Sequence, residues 1–550
     1  MAIVKIFDIL LVFYSCFFCS LFLTDYSFLS GKGISNIAGP GAGLIFLLSL
    51  RFLLDRGSFR NSPAVRSFER IEGNRLLILL ILFVFTALSA LSVARHFSLS
   101  SGSFDLGIFD QAIWNTTQGR PLFSSLKGNI NIIGDHFEPI LFLLAPLYKV
   151  FPSAVTLLVV QALLLASALI PLNLLAGSRL KEKLLVSSFI ISYALSRPLR
   201  GVGLSDFHPE CFILPLLFWA YFFLEKKRNL PLIISVVFLL LCKEDVAFLI
   251  CALGLFAFIF QRRKLLGAAL VSAGIFAWVI ETKLIIPHFS AQHVFAYMNR
   301  LPFGMTYEEN FKAAASDPSL IIRLLCTKDK LEYFLKIFAP LGFLSFFSPA
   351  HYILIAVPFF RNLMPLDPNF SGWYNITSHY TAALIPFIYI AAIYGAGRIV
   401  DKIKDKRAPV FLALLVMISS LFFYGRTDAG KLSRYLATIR SRATLEKISF
   451  LSQVPQEASV AANFNLVPHL SHRKYIFEWN PRNKKSFAAE YLVIDMTLLE
   501  YLSKQDLEEI PRYFTKISAI GYKKVFESPG GEFFIYHNKD YDRQEVERKG

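Results

Sequence analysis

The chain alternates between long apolar runs and short polar segments. About thirteen of the runs could cross a bilayer, whose core of about 30 Å needs roughly 20 apolar residues per helix, with shorter helices tolerated inside a bundle. The runs cover residues 5–23, 37–54, 76–95, 154–176, 184–200, 211–224, 230–242, 246–260, 265–286, 333–347, 350–365, 381–397 and 409–424. This pattern predicts a mainly α-helical, polytopic membrane protein whose transmembrane domain covers residues 1–424.

Beyond residue 424 the pattern becomes that of a small mixed domain. Its predicted elements are short buried strands at Ala458–Ala462 and Tyr491–Asp495, a helix within Leu498–Ile520, and a hairpin formed by Tyr522–Phe526 and Phe533–Tyr536 around a Ser-Pro-Gly-Gly turn. We therefore predict a soluble α/β domain over residues 425–550.

Composition supports the membrane assignment. Of the 550 residues, 55% are apolar, 55 are Phe and only 18% are charged. The mean hydropathy is +0.50. A soluble protein of this size could not bury so much apolar surface, which excludes soluble-enzyme, collagen-like and disordered classes.

The charge of the chain indicates its orientation. The 57 Lys and Arg against 40 Asp and Glu give a formal charge of +17, but the cations cluster between apolar runs, as expected of cytoplasmic loops rather than of a nucleic-acid-binding protein. These basic segments are 51–75, 179–183, 226–228, 262–264 and 402–407. They share one side only if the apolar segment 138–151 does not cross the membrane but lies in the interface or re-enters. The amino terminus is then cytoplasmic and the carboxyl-terminal domain lies outside; if 138–151 crosses, everything downstream inverts.

With the preferred topology, unusual Asp, Glu and His residues gather on the outer side. The segments there are a first outer loop at 96–137, turns at 201–210 and 243–245, the segments 287–332 and 366–380, and the tail. Lys and Arg alone assigned the sides, so the gathering of acids and histidines is a separate observation. It predicts a polar site at the outer boundary of the membrane.

The first outer loop contains the segment Phe104–Asn115, whose apolar positions 106, 109, 113 and 114 predict an amphipathic helix along the membrane surface. Asp105 stands at its start. Either it caps this helix at the positive end of the dipole, or it is a general base whose pKa is raised by aromatic surroundings. Asp110 is five residues further on and should point away from Asp105 on a helix.

Two short motifs each place an acid, a histidine and a second acid directly before an apolar run. They contain Asp135, His136 and Glu138 in the first case, and Asp206, His208 and Glu210 in the second. Carboxylates suit Mg²⁺ or Mn²⁺, and imidazole suits Mn²⁺. The motifs are therefore either hydrated helix caps or part of a divalent-metal site, for which Asp206 and His208 are the candidate ligands.

The sequence Lys243-Glu244-Asp245 interrupts an otherwise apolar region. A charge at the bilayer centre costs about 2.5–3.5 kcal/mol on insertion scales, and adjacent residues of a helix do not face one another, so these charges should line a turn or a wet cavity. The alternatives are a simple interfacial turn and a site in which Lys243 binds a lipid phosphate beside a carboxylate. Arg361 and His379 are candidates for the same site, and Arg361 could also hold a phosphate.

Five stretches together resemble a known family. They are FDLGIFDQAIWNTTQGRPLF, GDHFEPILFLLAPLYKVFPSAVTLL, DFHPE, CKED and VPHLSHRKYIF. From about residue 76 to residue 540 the chain resembles the bacterial and archaeal membrane-protein family of unknown function 2079, which itself resembles the GT-C superfamily of glycosyltransferases. The resemblance implies a catalytic acid in a large first outer loop, matched best by Asp105. It also makes the segment from Asp135 to Pro139 a variant of a His-Pro-Pro motif, although His136 is not followed by proline.

The function implied by this resemblance is that of a membrane glycosyltransferase in a prokaryotic cytoplasmic membrane. It would move a sugar from a polyprenyl phosphate to an unidentified acceptor at the outer face, with membrane lipids as partners and no nucleic acid. The candidate catalytic residues are Asp105, Asp110, His136 and Glu138, and the candidate substrate-binding residues are Asp206, His208, Glu210, Lys243, Glu244, Asp245, Arg361 and His379. The alternatives are a transporter or lipid-handling protein without covalent chemistry, and a scaffold.

Overall fold

The computed structural model of the chain describes residues 73–293, 303, 307–365, 368–424, 429–481, 489–499 and 502–541. The predicted runs 5–23 and 37–54, most of the basic segment 51–75, parts of the segments 287–332 and 366–380, and residues 542–550 lie outside the described residues. Within the described residues the chain is mainly helical, with a small sheet near the carboxyl end.

Most of the predicted apolar runs form helices, but the run 333–347 does not form a single one, because an α-helix ends at Phe338 and 3-10 turns follow at Ala339–Leu341 and Leu344–Phe347. Up to residue 289 they are α1 (Gly73–Phe97), α2 (Ile108–Thr117), α3 (Ala145–Val150), α4 (Ala154–Ser167), α5 (Leu169–Arg179), α6 (Lys183–Ala194), α7 (Arg197–Leu204), α8 (Glu210–Glu225), α9 (Asn229–Leu240), α10 (Val246–Ile259), α11 (Lys264–Ile280) and α12 (Ile286–Phe289). The next are α13 (Tyr307–Ser316), α14 (Ser319–Leu325), α15 (Lys328–Phe338), α16 (Tyr352–Leu363), α17 (Leu384–Ile403), α18 (Ala408–Tyr424), α19 (Ala429–Arg440) and α20 (Arg442–Leu451). A helix satisfies its own backbone hydrogen bonds, so an apolar run can form one without partners for its backbone.

Among the described residues, four helical segments are long and apolar enough to cross a membrane. They are Asn74–Phe97, Ala154–Arg179, Lys264–Phe289 and His379–Ile403. Shorter apolar helices include Pro139–Val150, Asn229–Leu240, Val246–Ile259 and Ala408–Tyr424. The total of about thirteen crossings and the orientation therefore stay predictions, as does the interfacial position of 138–151.

The loop segment 98–138 joins α1 to the next apolar stretch. It contains a π-helical turn at Ser103–Gly107, then α2, then the antiparallel strands β1 (Phe123–Ser124) and β2 (Ile130–Asn131), and a 3-10 turn at Ile132–Gly134. The predicted amphipathic helix begins at Ile108, later than expected, because Phe104 and Asp105 have non-helical backbone angles. Its apolar side chains Phe109 and Ile113 are buried against protein.

The carboxyl-terminal region forms a five-stranded sheet in the order β4-β3-β5-β7-β6. Its elements are β3 (Val460–Ala462), α21 (Val467–Leu470), β4 (Ile476–Glu478), β5 (Tyr491–Asp495), α22 (Lys504–Ala519), β6 (Tyr522–Glu527) and β7 (Phe533–Asn538). The strand β3 is parallel to β4 and β5, whereas β7 is antiparallel to β5 and β6. The helix starts at Lys504 rather than near Leu498 because Ser503 and Asp506 form a capping box. That this region is an independent, outer domain stays a prediction.

Three apolar cores organise the described residues. The largest joins the helices with the loop segment, including Leu106 and Ile113. A second core includes Trp479 and Ile517, from the strand and helix side of the carboxyl-terminal sheet. The third includes Leu99, which follows α1, together with Phe533 of the sheet. The sheet therefore packs directly against the loop segment that carries Asp105.

Candidate functional site

A cavity of about 190 Å³ lies between the loop segment 98–138 and the amino-terminal ends of α8 and α17. Seven of the twelve predicted site residues line it: Asp105, His136, Glu138, His208, Glu210, Lys243 and His379. Lys127, Asp135 and Tyr380 complete its polar wall, and Phe104, Ile108, Phe109 and Ile132 form an apolar part. The cavity brings together side chains that are far apart in the chain, such as Asp105 and His379, which are 274 residues apart.

Asp105 has a backbone conformation that residues other than glycine rarely adopt, with φ +68° and ψ −94°. Such angles lie near a strained γ-turn and cost on the order of 1–3 kcal/mol, so the surrounding structure must hold them. The helix that follows is capped at Gly107 without any side-chain hydrogen bond. The prediction that Asp105 caps this helix is therefore wrong.

Asp206 holds the backbone just before this turn. Its Oδ2 accepts a hydrogen bond from the Gly102 N–H at 2.9 Å, and its Oδ1 lies 2.5 Å from the guanidinium of Arg95 at the end of α1. Asp206 does not line the cavity. Its carboxylate joins the end of a helix to the Asp105 turn.

The Asp105 carboxylate faces His208. Its Oδ1 lies 3.1 Å from His208 Nε2, while His208 Nδ1 is 2.7 Å from the carbonyl oxygen of Asp206. A protonated His208 therefore donates its Nδ1–H to this carbonyl and forms an ion pair with Asp105 at Nε2. Burial alone would raise the pKa of Asp105, but the charge and hydrogen bond of His208 lower it to about 2. The prediction of a raised pKa for Asp105 is wrong, because its neighbour is a cation.

His208 itself is stabilised in the charged form. Burial would lower its pKa, but the charge of Asp105 and the hydrogen bond to it raise the pKa above its usual value of 6.5. The ring stacks on His379, with 3.5 Å between the centroids and 22° between the planes. His379 Nε2 lies 3.9 Å from Glu210 Oε1. The two imidazoles therefore join the Asp105 side of the cavity to the Glu210 side.

Glu210 and Lys243 form a buried ion pair in the cavity wall. Lys243 Nζ lies 2.7 Å from Glu210 Oε1, and the two side chains are only 12% and 5% exposed. Glu210 begins α8, and Lys243 lies in the turn between α9 and α10. The second oxygen of Glu210, Oε2, is buried and has no hydrogen-bond partner among the described residues. A buried acceptor without a donor beside a cavity indicates a place for a ligand or water.

Glu244, directly after Lys243, lies behind the cavity. Its carboxylate accepts from His136 Nδ1 at 2.7 Å and from the Phe137 N–H at 3.0 Å. Both contacts fix the turn that presents His136 and Glu138 to the cavity. Burial and the nearby carboxylates raise the pKa of Glu138 well above its usual value, although Lys243 opposes this. Its surroundings therefore favour the protonated form of Glu138 more than water does.

Asp245 and Arg361 form a second support. Arg361 pairs with Asp245, and its Nη2 donates to the Tyr380 carbonyl at 3.1 Å. Asn362 donates to the same carbonyl at 3.0 Å. Neither Asp245 nor Arg361 lines the cavity, so their contacts hold the segment that presents His379.

Asp110 lies elsewhere, as its five-residue separation from Asp105 predicts. Its buried carboxylate accepts from the Tyr148 hydroxyl at 2.7 Å, from the Ser471 hydroxyl, and from His472 Nε2 at 3.1 Å. Asp110 therefore joins α2 to the carboxyl-terminal region and does not contact the cavity.

The residues predicted to bind a metal do not fit that role as a pair. Both oxygens of Asp206 already accept from Gly102 and Arg95, whereas the His208 ring lies between Asp105 and a backbone carbonyl. Across the described ranges, no group of three His, Cys, Asp or Glu side chains is placed to hold a metal ion. Asp206 is better explained by its structural contacts.

Lys127 is a cavity residue that the sequence did not indicate. Its Nζ lies 2.5 Å from Asp135 Oδ2, with side chains 28% and 21% exposed. Lys127 stands alone in the turn between β1 and β2, without a local motif around it. Only the pairing of these strands brings it to Asp135, so a local pattern could not have found it.

Comparison with known proteins identifies the family. Residues 95–523 match the model of DUF2079, described as a predicted membrane protein. The chain belongs to the DUF2079 family. The resemblance found in the five sequence stretches is thus confirmed. The apolar helices of the chain are compatible with an integral membrane protein.

One solved structure similar to this DUF2079 protein is that of ArnT from Cupriavidus metallidurans bound to undecaprenyl phosphate. The two are 10% identical, and the similarity covers 84% of this chain and 98% of that one with a TM-score of 0.42. No curated protein matches the sequence.

Proposed function

We propose that the protein is a GT-C-like membrane glycosyltransferase that moves a sugar from a polyprenyl phosphate to a hydroxyl acceptor. One observation carries the proposal: the Asp105–His208 pair and Lys243 line the same cavity. Displacement of a phosphate at an anomeric carbon needs an acceptor for the hydroxyl proton and positive charge for the leaving group. The cavity walls supply both.

In this mechanism the acceptor hydroxyl donates a hydrogen bond to Asp105. As the bond between the anomeric carbon and the phosphate oxygen breaks, the carbon gains oxocarbenium character and the attacking hydroxyl becomes more acidic. Asp105 takes the proton as the new C–O bond forms, and the electron pair of the broken bond leaves with the phosphate. An ionised carboxylate of low pKa suffices because proton transfer is late, and His208 keeps it ionised and oriented.

The leaving phosphate would lie near the two lysines. Lys243 is held in the wall by Glu210, and Lys127 stands more exposed at the rim. Negative charge grows on the phosphate as the bond breaks, so fixed cations stabilise the transition state more than the bound donor. Glu138, whose pKa is raised by burial and by nearby carboxylates, would donate a hydrogen bond to a phosphate oxygen in its protonated form.

Two features favour a lipid donor at the outer face. Phe104 is 53% exposed beside the cavity and supplies an apolar surface for an isoprenoid chain. The helices α8, α9 and α10 each run between the cavity end and one of the basic segments 226–228 and 262–264. Basic segments favour the cytoplasmic side, so the cavity would open on the outer side, with the amino terminus inside and the carboxyl-terminal region outside.

The test uses full-length protein in proteoliposomes with labelled polyprenyl-phosphate sugars, and it measures release of polyprenyl phosphate. We expect consumption of at least one donor, with a rate about 10²–10⁴-fold lower for Asp105→Asn because the proton acceptor is lost. The matched control is Asp405→Asn, which makes the same change in the basic segment 402–407. A folded Asp105→Asn protein with a near wild-type rate would remove Asp105 from this role.

The alternative of a transporter or lipid-handling protein predicts a different result. A labelled lipid or solute would then cross the proteoliposome membrane without covalent change. Translocation without consumption of any lipid-linked sugar would favour that function over the transferase.

A further inference from the structure

The segment 463–478, which joins β3 to β4, lies along the loop that carries Asp105. Its contacts with that loop include the Asn465 side chain with the Leu99 carbonyl at 2.9 Å, the Gln111 side chain with the Arg473 and Lys474 carbonyls, and Ser125 with the Ile476 backbone. The ring of His469 stacks on His96 at 4.1 Å. These contacts join parts of the chain more than 350 residues apart.

The contacts closest to Asp105 depend on two glycines that flank it. A Cβ on Gly102 would lie 2.2 Å from Phe464 Cζ, and one on Gly107 would lie 3.0 Å from Val467 Cγ1. Phe464 also contacts the ring of Phe104, with 6.0 Å between the centroids. The segment 463–478 therefore presses against both sides of the strained turn.

A single side-chain pair adds a polar contact. The buried Ser103 hydroxyl, two residues before Asp105, donates to the carboxylate of Glu478 at the end of β4. The turn at Asp105 is strained, and a strained conformation relaxes when the contacts that impose it are lost. Neither Ser103 nor Glu478 lines the cavity.

We propose that Glu478 is a positioning residue of the site: through Ser103, and together with Phe464, it holds the Asp105 turn so that the carboxylate reaches His208. The proposal rests on the transferase function for its effect on rate. It gives the carboxyl-terminal sheet a specific task, namely to complete the conformation of the Asp105 turn in the loop segment 98–138. A displacement of about 1 Å in a reacting group can cost up to about 10²-fold in rate.

The test compares Glu478→Ala and Ser103→Ala with Glu478→Gln, whose amide oxygen still accepts from Ser103. The control is Glu490→Gln, in the same sheet region, where Glu490 contacts His537 at 3.5 Å. Backbone hydrogen exchange at residues 102–107 and the kinetics of sugar transfer are measured for each full-length protein. We expect both alanine variants to exchange faster there and to lose about tenfold in kcat with KM nearly unchanged. Glu478→Gln and the control should stay close to the wild type.

The double variant Ser103→Ala with Glu478→Ala should lose no more than either single variant, because both remove one contact. Unchanged exchange at 102–107 in a folded Ser103→Ala protein would overturn the proposal, as would faster exchange with an unchanged kcat. The two failures can be told apart because hydrogen exchange needs no substrate. A wild-type protein without transfer activity would refute the transferase function, and hydrogen exchange at residues 102–107 would still test the contact between Ser103 and Glu478. If Glu478→Ala does not fold, Ser103→Ala carries the test, since it removes only a hydroxyl.

Discussion

Two buried histidine clusters in this protein have opposite characters. In the helical interior, His351 Nε2 lies 2.6 Å from the Tyr221 hydroxyl and its Nδ1 lies 2.7 Å from the Ser348 hydroxyl, so both ring nitrogens have partners within the protein. Around the cavity, His208 stacks on His379 beside Asp105, and an oxygen of Glu210 has no donor among the described residues.

The two clusters differ in whether the protein itself supplies partners for all of their polar groups. Burying a polar group is costly unless its hydrogen bonds are made, and the His351 cluster meets this requirement internally. In the cavity cluster, charged side chains and the unpaired Glu210 Oε2 border an open cavity, as in a ligand-binding site. A buried histidine alone does not indicate a binding site. The cavity beside His208 and His379 is what makes their cluster the candidate site.

The largest effect is expected for the buried ion pair. Lys243→Met leaves Glu210 charged and buried without its partner, which should destabilise the protein by about 3–5 kcal/mol. Thermal unfolding of the purified protein measures this loss. The double variant Lys243→Met with Glu210→Leu should recover most of the stability but no sugar transfer. Recovery of transfer in the double variant would show that the pair is only structural.

The next effect concerns the charge of His208. His208→Gln should lower kcat about 10²-fold, because Asp105 loses the cation that orients it. In the wild type the stabilising charge on His208 is complete below pH 6.5 and is lost as the pH rises through its raised pKa, so transfer should fall on the alkaline side. Asp105, with a pKa of about 2, stays ionised down to strongly acidic pH.

A pH profile of transfer rate tests this directly. His208→Gln should remove the alkaline decline caused by His208, whereas His351→Gln should leave that decline in place. An unchanged profile in His208→Gln would contradict the assignment.

A smaller effect is expected in the interior cluster. His351→Leu leaves the Tyr221 and Ser348 hydroxyls without this partner, at a cost of about 1–3 kcal/mol in stability. Transfer per folded molecule should stay at the wild-type level. Thermal unfolding measures the stability, and the transfer rate of the folded fraction measures the activity. A loss of transfer greater than the loss of folded protein would show that the His351 cluster also contributes to transfer.

The smallest effect is expected at the rim. Lys127→Gln removes a partly exposed cation worth about 1 kcal/mol, so KM for the lipid-linked donor should rise about fivefold with little change in kcat. The control is Lys149→Gln, an exposed lysine at the end of α3. An unchanged KM would exclude Lys127 from phosphate binding.

Much of the helical framework could be predicted from the sequence, because apolar runs act locally. The run 246–260 became α10 at Val246–Ile259, and the run 409–424 became α18 at Ala408–Tyr424. The strand at Tyr491–Asp495 formed at its predicted position. Boundaries set by individual side chains were less accurate, as with α22, whose start depends on the Ser503 capping box.

The candidate site could be predicted only as a collection of residues. Acids and histidines at the ends of apolar runs are costly in a membrane unless they meet other polar groups, which made Asp105, His208 and Lys243 candidates. The same reasoning could not tell that Asp206 supports a backbone turn or that Asp110 contacts Ser471. Each of those roles depends on a partner at least 104 residues away in the chain.

The positions of most helices, and of the polar residues that interrupt them, could thus be predicted from the sequence. The reason is that the hydrogen bonds of a helix and the apolar character of a run depend on neighbouring residues. Tertiary structure alone decided that seven of the candidates share one cavity, that Lys127 joins them, and that the pKa of Asp105 is lowered. It also decided the backbone of Asp105, whose positive φ together with a ψ of −94° lies outside the allowed regions for residues other than glycine. Contacts from Asp206, Phe464 and Glu478 surround that turn, and they exist only once distant segments have packed together.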